Sequence, residues 1–280
     1  MVCGSSRIGR FIPRSKPLEV PSGILNVAAG KLAWDRHGTG PALVLVHGFS
    51  FDRSMWDAQV AALSQAFTVA RYDLRGFGQS SRPSGPYDHV EDLATFIASQ
   101  AFDRPILVGL SLGANVILEY AGRHSAAVRG MVLASAGLPG HVWTTKRPPE
   151  AIKALAQRAG LQAARQAWLD HPIYATARAR PGAGAALTAM IGAYDGWHWT
   201  NDDPRIPAGD ITGMLGSIAV PALVLSGGHD DPGYRDIAQR LATELPDARL
   251  VTFKEGGHLL NVEEPSRFNG EVEAFAAALV

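Results

Sequence analysis

The strongest constraint on the fold is a regular alternation of short apolar runs with longer segments of helical period, which extends over most of the chain. Eight of the apolar runs are strand-sized. Such an alternation predicts an α/β fold in which helices cover both faces of a mostly parallel sheet. The predicted strands are residues 24–28, 31–37, 42–46, 68–72, 106–108, 128–135, 222–226 and 249–253.

Between the strands, apolar residues recur three and four positions apart, which is the spacing of one helix face. Trp56, Val60 and Leu63 show it before the fourth strand. The first two strands instead meet at the tight turn Ala29-Gly30, which predicts an antiparallel edge. Further helices are predicted at residues 90–97, 112–124, 234–245 and 268–279.

The alternation stops between residues 138 and 217, where prolines separate stretches of helical period at 155–169 and 185–194. This interval is predicted to be an inserted helical cap. Residues 23–137 and 218–280 would then form the core. The first 22 residues are basic and proline-containing, and we expect them to form a mobile leader.

Composition excludes several classes of function. The 26 Lys and Arg residues balance 26 Asp and Glu residues, so nothing favours a nucleic-acid partner. No apolar run approaches the roughly 20 residues that cross a membrane. With Cys3 alone no internal disulfide can form, which favours a cytoplasmic location. The histidine spacings match no metal motif, so neither a metal nor another cofactor is expected.

The sequence Gly109-Leu110-Ser111-Leu112-Gly113 lies between a predicted buried strand and a predicted helix. In this context Gly-x-Ser-x-Gly indicates a sharp turn that exposes a nucleophilic serine, because the glycines let strand and helix approach closely. The alternative is a serine that only caps the helix. A hydroxyl nucleophile also needs a base and an orienting carboxylate.

Both partners occur after later strands, in the chain order Ser, Asp, His. His258 lies in a Gly-Gly-His loop directly after the last strand. Asp230 and Asp231 follow the strand at 222–226, and we expect Asp230 to orient His258. Asp231 precedes Pro232 and would instead cap the next helix. Either aspartate could also serve only the local turn.

An oxyanion formed at Ser111 would need two N–H donors. We assign the backbone amides of Phe49, in the loop after the third strand, and of Leu112, directly after the nucleophile. His47 begins the same loop, and its ring is expected to hold the loop's shape rather than to take part in the chemistry.

These motifs together resemble the α/β-hydrolase superfamily over residues 24–280. The resemblance rests on His47-Gly48, the segment Asp73-Leu74-Arg75-Gly76-Phe77-Gly78-Gln79-Ser80, the serine turn, Gly257-His258 and Glu264-Pro265. It implies an eight-stranded sheet and a triad of Ser111, Asp230 and His258. Esterases, enol-lactonases and carbon-carbon hydrolases share all these motifs. The serine disfavours the dehalogenase and epoxide-hydrolase branches, whose nucleophile is an aspartate, and Gly113-Ala114 departs from the Gly-Gly common in enol-lactonases.

The resulting expectation is a serine hydrolase that cleaves a small apolar or aromatic carboxylic ester, with lactone or carbon-carbon cleavage as alternatives on the same triad. A non-catalytic ligand receptor is the alternative of a different class. The expected partner is a small-molecule ester or lactone, with no nucleic acid and no membrane. Cap aromatics would line an apolar pocket, although core packing of the cap explains them equally well: Trp143, Trp168, Tyr174, Tyr194, Trp197 and Trp199.

Overall fold

The computed structural model describes residues 20–143 and 148–280. Within these residues, all eight predicted strands are present and form one sheet, as predicted. Most consist of apolar, often β-branched residues that are buried on both faces, as expected for strands covered by helices on both sides. The strands are β1 (Ser22–Val27), β2 (Gly30–His37), β3 (Ala42–Val46), β4 (Thr68–Tyr72), β5 (Ile106–Leu110), β6 (Gly130–Ala134), β7 (Ala222–Gly227) and β8 (Ala248–Phe253).

The strand order across the sheet is β1-β2-β4-β3-β5-β6-β7-β8. The first hairpin pairs antiparallel with β4, while all pairs from β4 to β8 are parallel. Chain order reverses direction at β3, which has β4 on one side and β5 on the other. Such a switch point opens a crevice at the carboxyl ends of the strands. The loops after β3 and β5 therefore meet there.

Helices cover the sheet and connect its parallel strands. The predicted helix at residues 112–124 is confirmed as α3, and it follows β5 after a single residue. The α-helices of the described chain are α1 (Asp57–Leu63), α2 (His89–Ser99), α3 (Leu112–His124), α4 (Pro148–Ala159), α5 (Leu161–Leu169), α6 (Ala175–Ala179), α7 (Pro181–Ala193), α8 (Trp197–Thr200), α9 (Pro232–Glu244), α10 (Leu260–Glu263) and α11 (Pro265–Ala277).

Five helices, α4 to α8, lie in the interval between β6 and β7; we call them the inserted helices. The predicted continuous helical stretch at 155–169 is wrong in one respect, since α4 ends and α5 begins around Gly160. That residue has φ +86° and ψ 168°, a non-helical conformation that glycine adopts without steric cost.

The predicted leader at residues 1–22 falls almost wholly outside the described residues. Its last residue, Ser22, already pairs with Asp35 as the first residue of β1, so the sheet begins two residues before the predicted strand at 24–28. No helix among the described residues is long and apolar enough to cross a membrane.

The two glycines that flank Ser111 stand where backbones nearly touch. A Cβ on Gly109 would lie 2.5 Å from the Gly113 carbonyl carbon, and a Cβ on Gly113 would lie 2.0 Å from the carbonyl oxygen of Val46 in β3. Both distances are far shorter than any real Cβ contact. Glycine at these positions therefore allows α3 to start directly against the centre of the sheet.

Replacing Gly113 by alanine should destabilise the fold by more than about 2 kcal/mol, because the new methyl group would meet backbone that has no room to move. Gly122, later in α3, is the matched control: a Cβ there meets only side-chain atoms at 3.6 Å and beyond. Gly122→Ala should stabilise by about 0.5–1 kcal/mol through helix propensity. Urea unfolding of both variants is the measurement, and equal changes would contradict this account.

Candidate active site

Ser111 occupies the single position between β5 and α3 and has φ +54° and ψ −110°. A non-glycine residue with positive φ is strained, and such strain persists only where the surroundings hold it. The Ser111 N–H donates to the Ala134 carbonyl of β6 at 2.9 Å, which anchors the turn. The turn therefore places the side chain at the carboxyl edge of the sheet, next to the first turn of α3.

The structure brings His258 and Asp230 together, as predicted. His258 Nδ1 lies 3.0 Å from each carboxylate oxygen of Asp230. Both side chains are buried, with residue exposures of 3% and 4%. A carboxylate only accepts hydrogen bonds, so Nδ1 carries the proton and Nε2 has a free lone pair. This is the tautomer that a general base needs.

Asp231 caps a helix, which is the role that the sequence predicts for it. Its side chain accepts a hydrogen bond from the Gly233 N–H at 2.9 Å and caps α9, with Pro232 as the first helical residue. It is therefore Asp230 that reaches His258. The loop that carries Asp230 and the loop that carries His258 approach each other closely at Gly227, at the end of β7. A Cβ on Gly227 would lie 2.0 Å from the Gly257 carbonyl oxygen, so only glycine fits there.

Glu263, which sequence reasoning missed, holds the His258 loop. Its carboxylate accepts from the Gly257 N–H at 2.5 Å and from the Leu259 N–H at 3.1 Å, so it binds the backbone on both sides of the histidine. Burial raises the pKa of Glu263, while these two hydrogen bonds act in the opposite direction. Only the spacing of Glu263 from His258 was visible in the sequence, and that spacing alone does not indicate this contact.

The two amides predicted to face an oxyanion belong to the loop after β3 and to the first turn of α3. Leu112 is the first residue of α3, where backbone N–H groups have no partner inside the helix. In the described chain, neither the Leu112 amide nor the Phe49 amide donates to a protein acceptor. Both are thus available to a ligand.

His47 has a structural arrangement that fits its predicted role. Its Nδ1 lies 2.8 Å from the Gly48 carbonyl, and its Nε2 accepts from the Leu74 N–H at 2.8 Å. Because a carbonyl only accepts, the proton stays on Nδ1. Burial lowers the pKa of His47, which keeps the ring neutral. The ring therefore links the loop after β3 to the loop after β4.

Ser111 stands where two cavities meet. The larger has a volume of 580 Å³ and extends along α3 towards the inserted helices. The smaller, of 20 Å³, is shared by Ser111 and His258 and is closed by aromatic residues, among them Trp168 and Tyr174. Phe49 contributes to both walls. The nucleophile candidate is therefore accessible to a small molecule, with a confined space between it and the base.

The six aromatic residues predicted for the pocket divide into two groups. Four of them line one of the two cavities: Trp143 and Trp199 the larger, Trp168 and Tyr174 the smaller. Tyr194 and Trp197 line neither.

The two exceptions have identifiable reasons. The Tyr194 ring stacks on Phe77 at 5.5 Å and its hydroxyl lies 2.9 Å from His198 Nδ1, so it packs between the insertion and the loop after β4. Trp197 is half-buried with its ring edge-on to His198. For these two residues, core packing of the insertion is the better explanation.

Several polar residues of the larger cavity were missed. Asn115 and Glu119 follow Ser111 by one and two helical turns, so this face of α3 was legible in the sequence as an i, i+4, i+8 series. His89 and Arg205 come from α2 and from the segment after α8, and no spacing links them. His198, in α8, also lines the cavity, and burial lowers its pKa to about 3.

No three His, Cys, Asp or Glu side chains group as a metal site in the part of the chain that the structure describes.

Comparison with known proteins gives a family match. A model described as "Alpha/beta hydrolase family" matches residues 43–271. The pimeloyl-[acyl-carrier protein] methyl ester esterase of Vibrio atlanticus is 28% identical over 259 residues, covering 88% of this chain and 98% of that protein. A relative from Synechocystis sp. is 32% identical over 131 residues, and there the chain spans about half of the relative's length, 48%.

Among solved structures, the enol-lactonase from Burkholderia xenovorans LB400 is similar with a TM-score of 0.79 and 28% identity. The similarity covers 91% of this chain and 100% of that one. The likeness therefore includes the inserted helices as well as the sheet.

The buried carboxyl group of Glu119 makes a testable contribution to stability. Burial raises its pKa from 4.5 to about 7. The folded state thus holds this proton over a pH range in which the unfolded state has released it, so stability falls as pH rises from about 4.5 to about 7. Glu119→Gln should remove that loss and be about 2–3 kcal/mol more stable than the parent at pH 8.

Urea unfolding at pH 5 and pH 8 measures this effect. Most of the stabilisation by Glu119→Gln should disappear at pH 5, where the parent carboxyl group is protonated in the fold. Glu273→Gln, an exposed change in α11, is the control and should show no such pH dependence. A stabilisation by Glu119→Gln that is the same at both pH values would contradict the assignment.

Proposed function

Because the chain belongs to the α/β-hydrolase family, we propose that it is a serine hydrolase that cleaves carboxylic esters through an acyl-enzyme intermediate on Ser111. The observation that carries the proposal is the arrangement around one small cavity. A strained serine at the sheet edge and a buried histidine line the same 20 Å³ space, and the histidine is hydrogen-bonded to a buried aspartate. No packing requirement calls for that combination.

In the acylation step, the Ser111 hydroxyl attacks the ester carbonyl while His258 Nε2 takes its proton. Asp230, bound to Nδ1, stabilises the resulting imidazolium and fixes its orientation. The carbonyl oxygen becomes an oxyanion that accepts from the Phe49 and Leu112 amides, and the α3 dipole adds to its stabilisation. His258 then returns the proton to the leaving alcohol.

In the deacylation step, water attacks the acyl group with His258 again as base. The small cavity between Ser111 and His258 has the volume that one water molecule needs, which is on the order of 10–15 Å³ or more. Its aromatic walls exclude additional solvent. The acid product leaves through the larger cavity, and Ser111 recovers its proton.

The inserted helices serve in this proposal as a cap that shapes the substrate space. Trp168 of α5 and Tyr174, directly before α6, line the small cavity, and Trp199 of α8 lines the larger one. Trp168 is fixed to the core, since its Nε1 donates to the buried Ser50 hydroxyl at 2.6 Å. The cap therefore selects substrates without providing the nucleophile, the base or the acid.

Two further readings use the same residues. Lactone hydrolysis opens a cyclic ester by the same steps, and the likeness to a solved enol-lactonase favours keeping it as the second candidate. A receptor that only binds its ligand would need neither a strained serine nor a base in the required tautomer. The Ser111 strain and the His258–Asp230 contact therefore favour an enzyme.

Ser111→Ala should lower kcat on activated nitrophenyl esters by roughly 10⁴-fold or more while leaving the fold intact, because it removes the attacking atom and little packing. Ser125→Ala, an exposed change just after α3, is the control and should keep full turnover. Steady-state kinetics on folded protein provide the measurement. A Ser111→Ala enzyme within about tenfold of the parent would show that another residue is the nucleophile.

The neighbouring aspartates offer a matched pair of variants. Asp230→Asn removes the acceptor of His258 Nδ1 and should lower kcat by about 10⁴, the loss known for the corresponding change in the serine-protease template. Asp231→Asn affects only the α9 cap and should cost at most about 1 kcal/mol of stability with kcat retained. Steady-state kinetics and thermal unfolding of both variants test this assignment. If Asp231→Asn lowered kcat more than Asp230→Asn, Asp230 would not be the aspartate of the triad.

A further inference from the structure

The larger cavity continues well past Ser111, and its far part holds polar side chains that the proposed hydrolysis does not use. They come from three separate segments: α2, α3 and the chain that follows α8. These side chains are His89, Asn115, Glu119, Asp203 and Arg205. We call this part of the cavity the distal polar end.

Arg205 is the main cation of the distal polar end. Its backbone is held in place, since the next residue, Ile206, donates its N–H to the Tyr87 carbonyl at 2.8 Å and the Arg205 N–H contacts the Asp203 carboxylate. Across residues 20–143 and 148–280, however, no carboxylate pairs with its half-buried guanidinium group. A guanidinium carried on a fixed backbone, with five donors and no carboxylate partner in the described chain, can bind an acceptor of the ligand.

Two neutral groups beside it have unused hydrogen-bonding atoms. His89 is buried, and its Nδ1 has no hydrogen-bond partner. Burial lowers the pKa of His89 to well below its ordinary value, and Arg205 acts in the same direction, so the ring is neutral. Asn115 likewise has a buried Oδ1 without a partner. Buried polar atoms without partners are rare in native proteins and commonly mark a ligand site.

The acidic residues of the distal polar end form no ion pair with Arg205 in the described chain. Glu119 pairs weakly with Arg123 at 3.5 Å, and burial keeps a large share of it protonated near neutral pH, since its pKa is raised to about 7. Asp203 accepts from the Arg205 backbone N–H rather than from the guanidinium. Lys153 also lines the cavity, but its ammonium group is held by Asp202.

We propose that the distal polar end binds a carboxylate of the substrate through Arg205, assisted by His89, so that the preferred ester carries a free carboxylate far from the scissile bond. The substrate preference rests on the proposed ester hydrolysis at Ser111 and specifies which esters are cleaved. One cation with one neutral donor, the His89 ring, suits a singly charged carboxylate, and the neighbouring acids would oppose a doubly charged phosphate more strongly.

The helix gives the length of such a substrate. Asn115 and Glu119 follow Ser111 by about 6 Å and about 12 Å along α3, at ~1.5 Å per residue. A carboxylate at that distance from the reacting carbonyl corresponds to half-esters of medium-length dicarboxylic acids. Monomethyl suberate is therefore a suitable probe, with methyl octanoate, of equal chain length, as its uncharged counterpart.

The kinetic test compares kcat/KM for these two esters. The parent should prefer monomethyl suberate by about tenfold or more, the effect of one charged hydrogen-bond partner. Arg205→Met should lower that ratio by a similar factor, and Arg205→Lys should restore part of it. Arg249→Met, at an exposed surface arginine, is the control and should leave the ratio unchanged. A parent without preference, or a ratio that Arg205→Met does not change, would overturn the proposal.

A binding experiment separates this inference from the proposed function. Calorimetric titration of folded Ser111→Ala protein with suberate measures carboxylate binding without turnover. Binding that weakens by about tenfold with the added Arg205→Met change, and not with Arg249→Met, would support the distal carboxylate site even if Ser111 were not the nucleophile. Equal binding by all three proteins would overturn the site even if ester hydrolysis depends on Ser111.

Discussion

The close approach of three backbones around Ser111 is the constraint on which the rest of the structure depends. Gly109 and Gly113 have no side chains because β5, α3 and the end of β3 are packed to distances at which a Cβ would clash. That packing forces positive φ on Ser111 and brings the loop after β3 beside the first turn of α3. The serine, the two free amides and the start of the substrate cavity all follow from this one arrangement.

His258, the proposed base, is positioned by a second set of contacts that is independent of the first. The loops after β7 and β8 touch through Gly227 and Gly257, and Glu263 binds the amides on either side of His258. Arg180, at the start of α7, adds hydrogen bonds to the Glu263 and Glu255 carbonyls. The inserted helices therefore support the histidine loop as well as cover the cavity. Small movements of that insertion would change the position of the base.

Most of the sheet could be predicted because each strand is a short apolar run between turn residues, and the parallel order follows from the alternation with helices. Ser111, Asp230 and His258 were predictable as an arrangement for the same reason, since each lies directly after a strand and strand ends share one edge. Arg205 and His89 were not, because they meet only through tertiary packing. Tyr194 and Trp197 were wrongly assigned to the pocket, since composition does not tell which way a cap aromatic faces.

The most direct test of the central claim is the position of a covalent adduct. The protein would be treated with a fluorophosphonate, which reacts with activated serines, and its peptides analysed by mass spectrometry. The account predicts one adduct per chain, on the peptide that contains Ser111, and its loss in His258→Ala, which lacks the base. Ester turnover accompanied by stoichiometric labelling at another residue, with Ser111 unmodified, would contradict it.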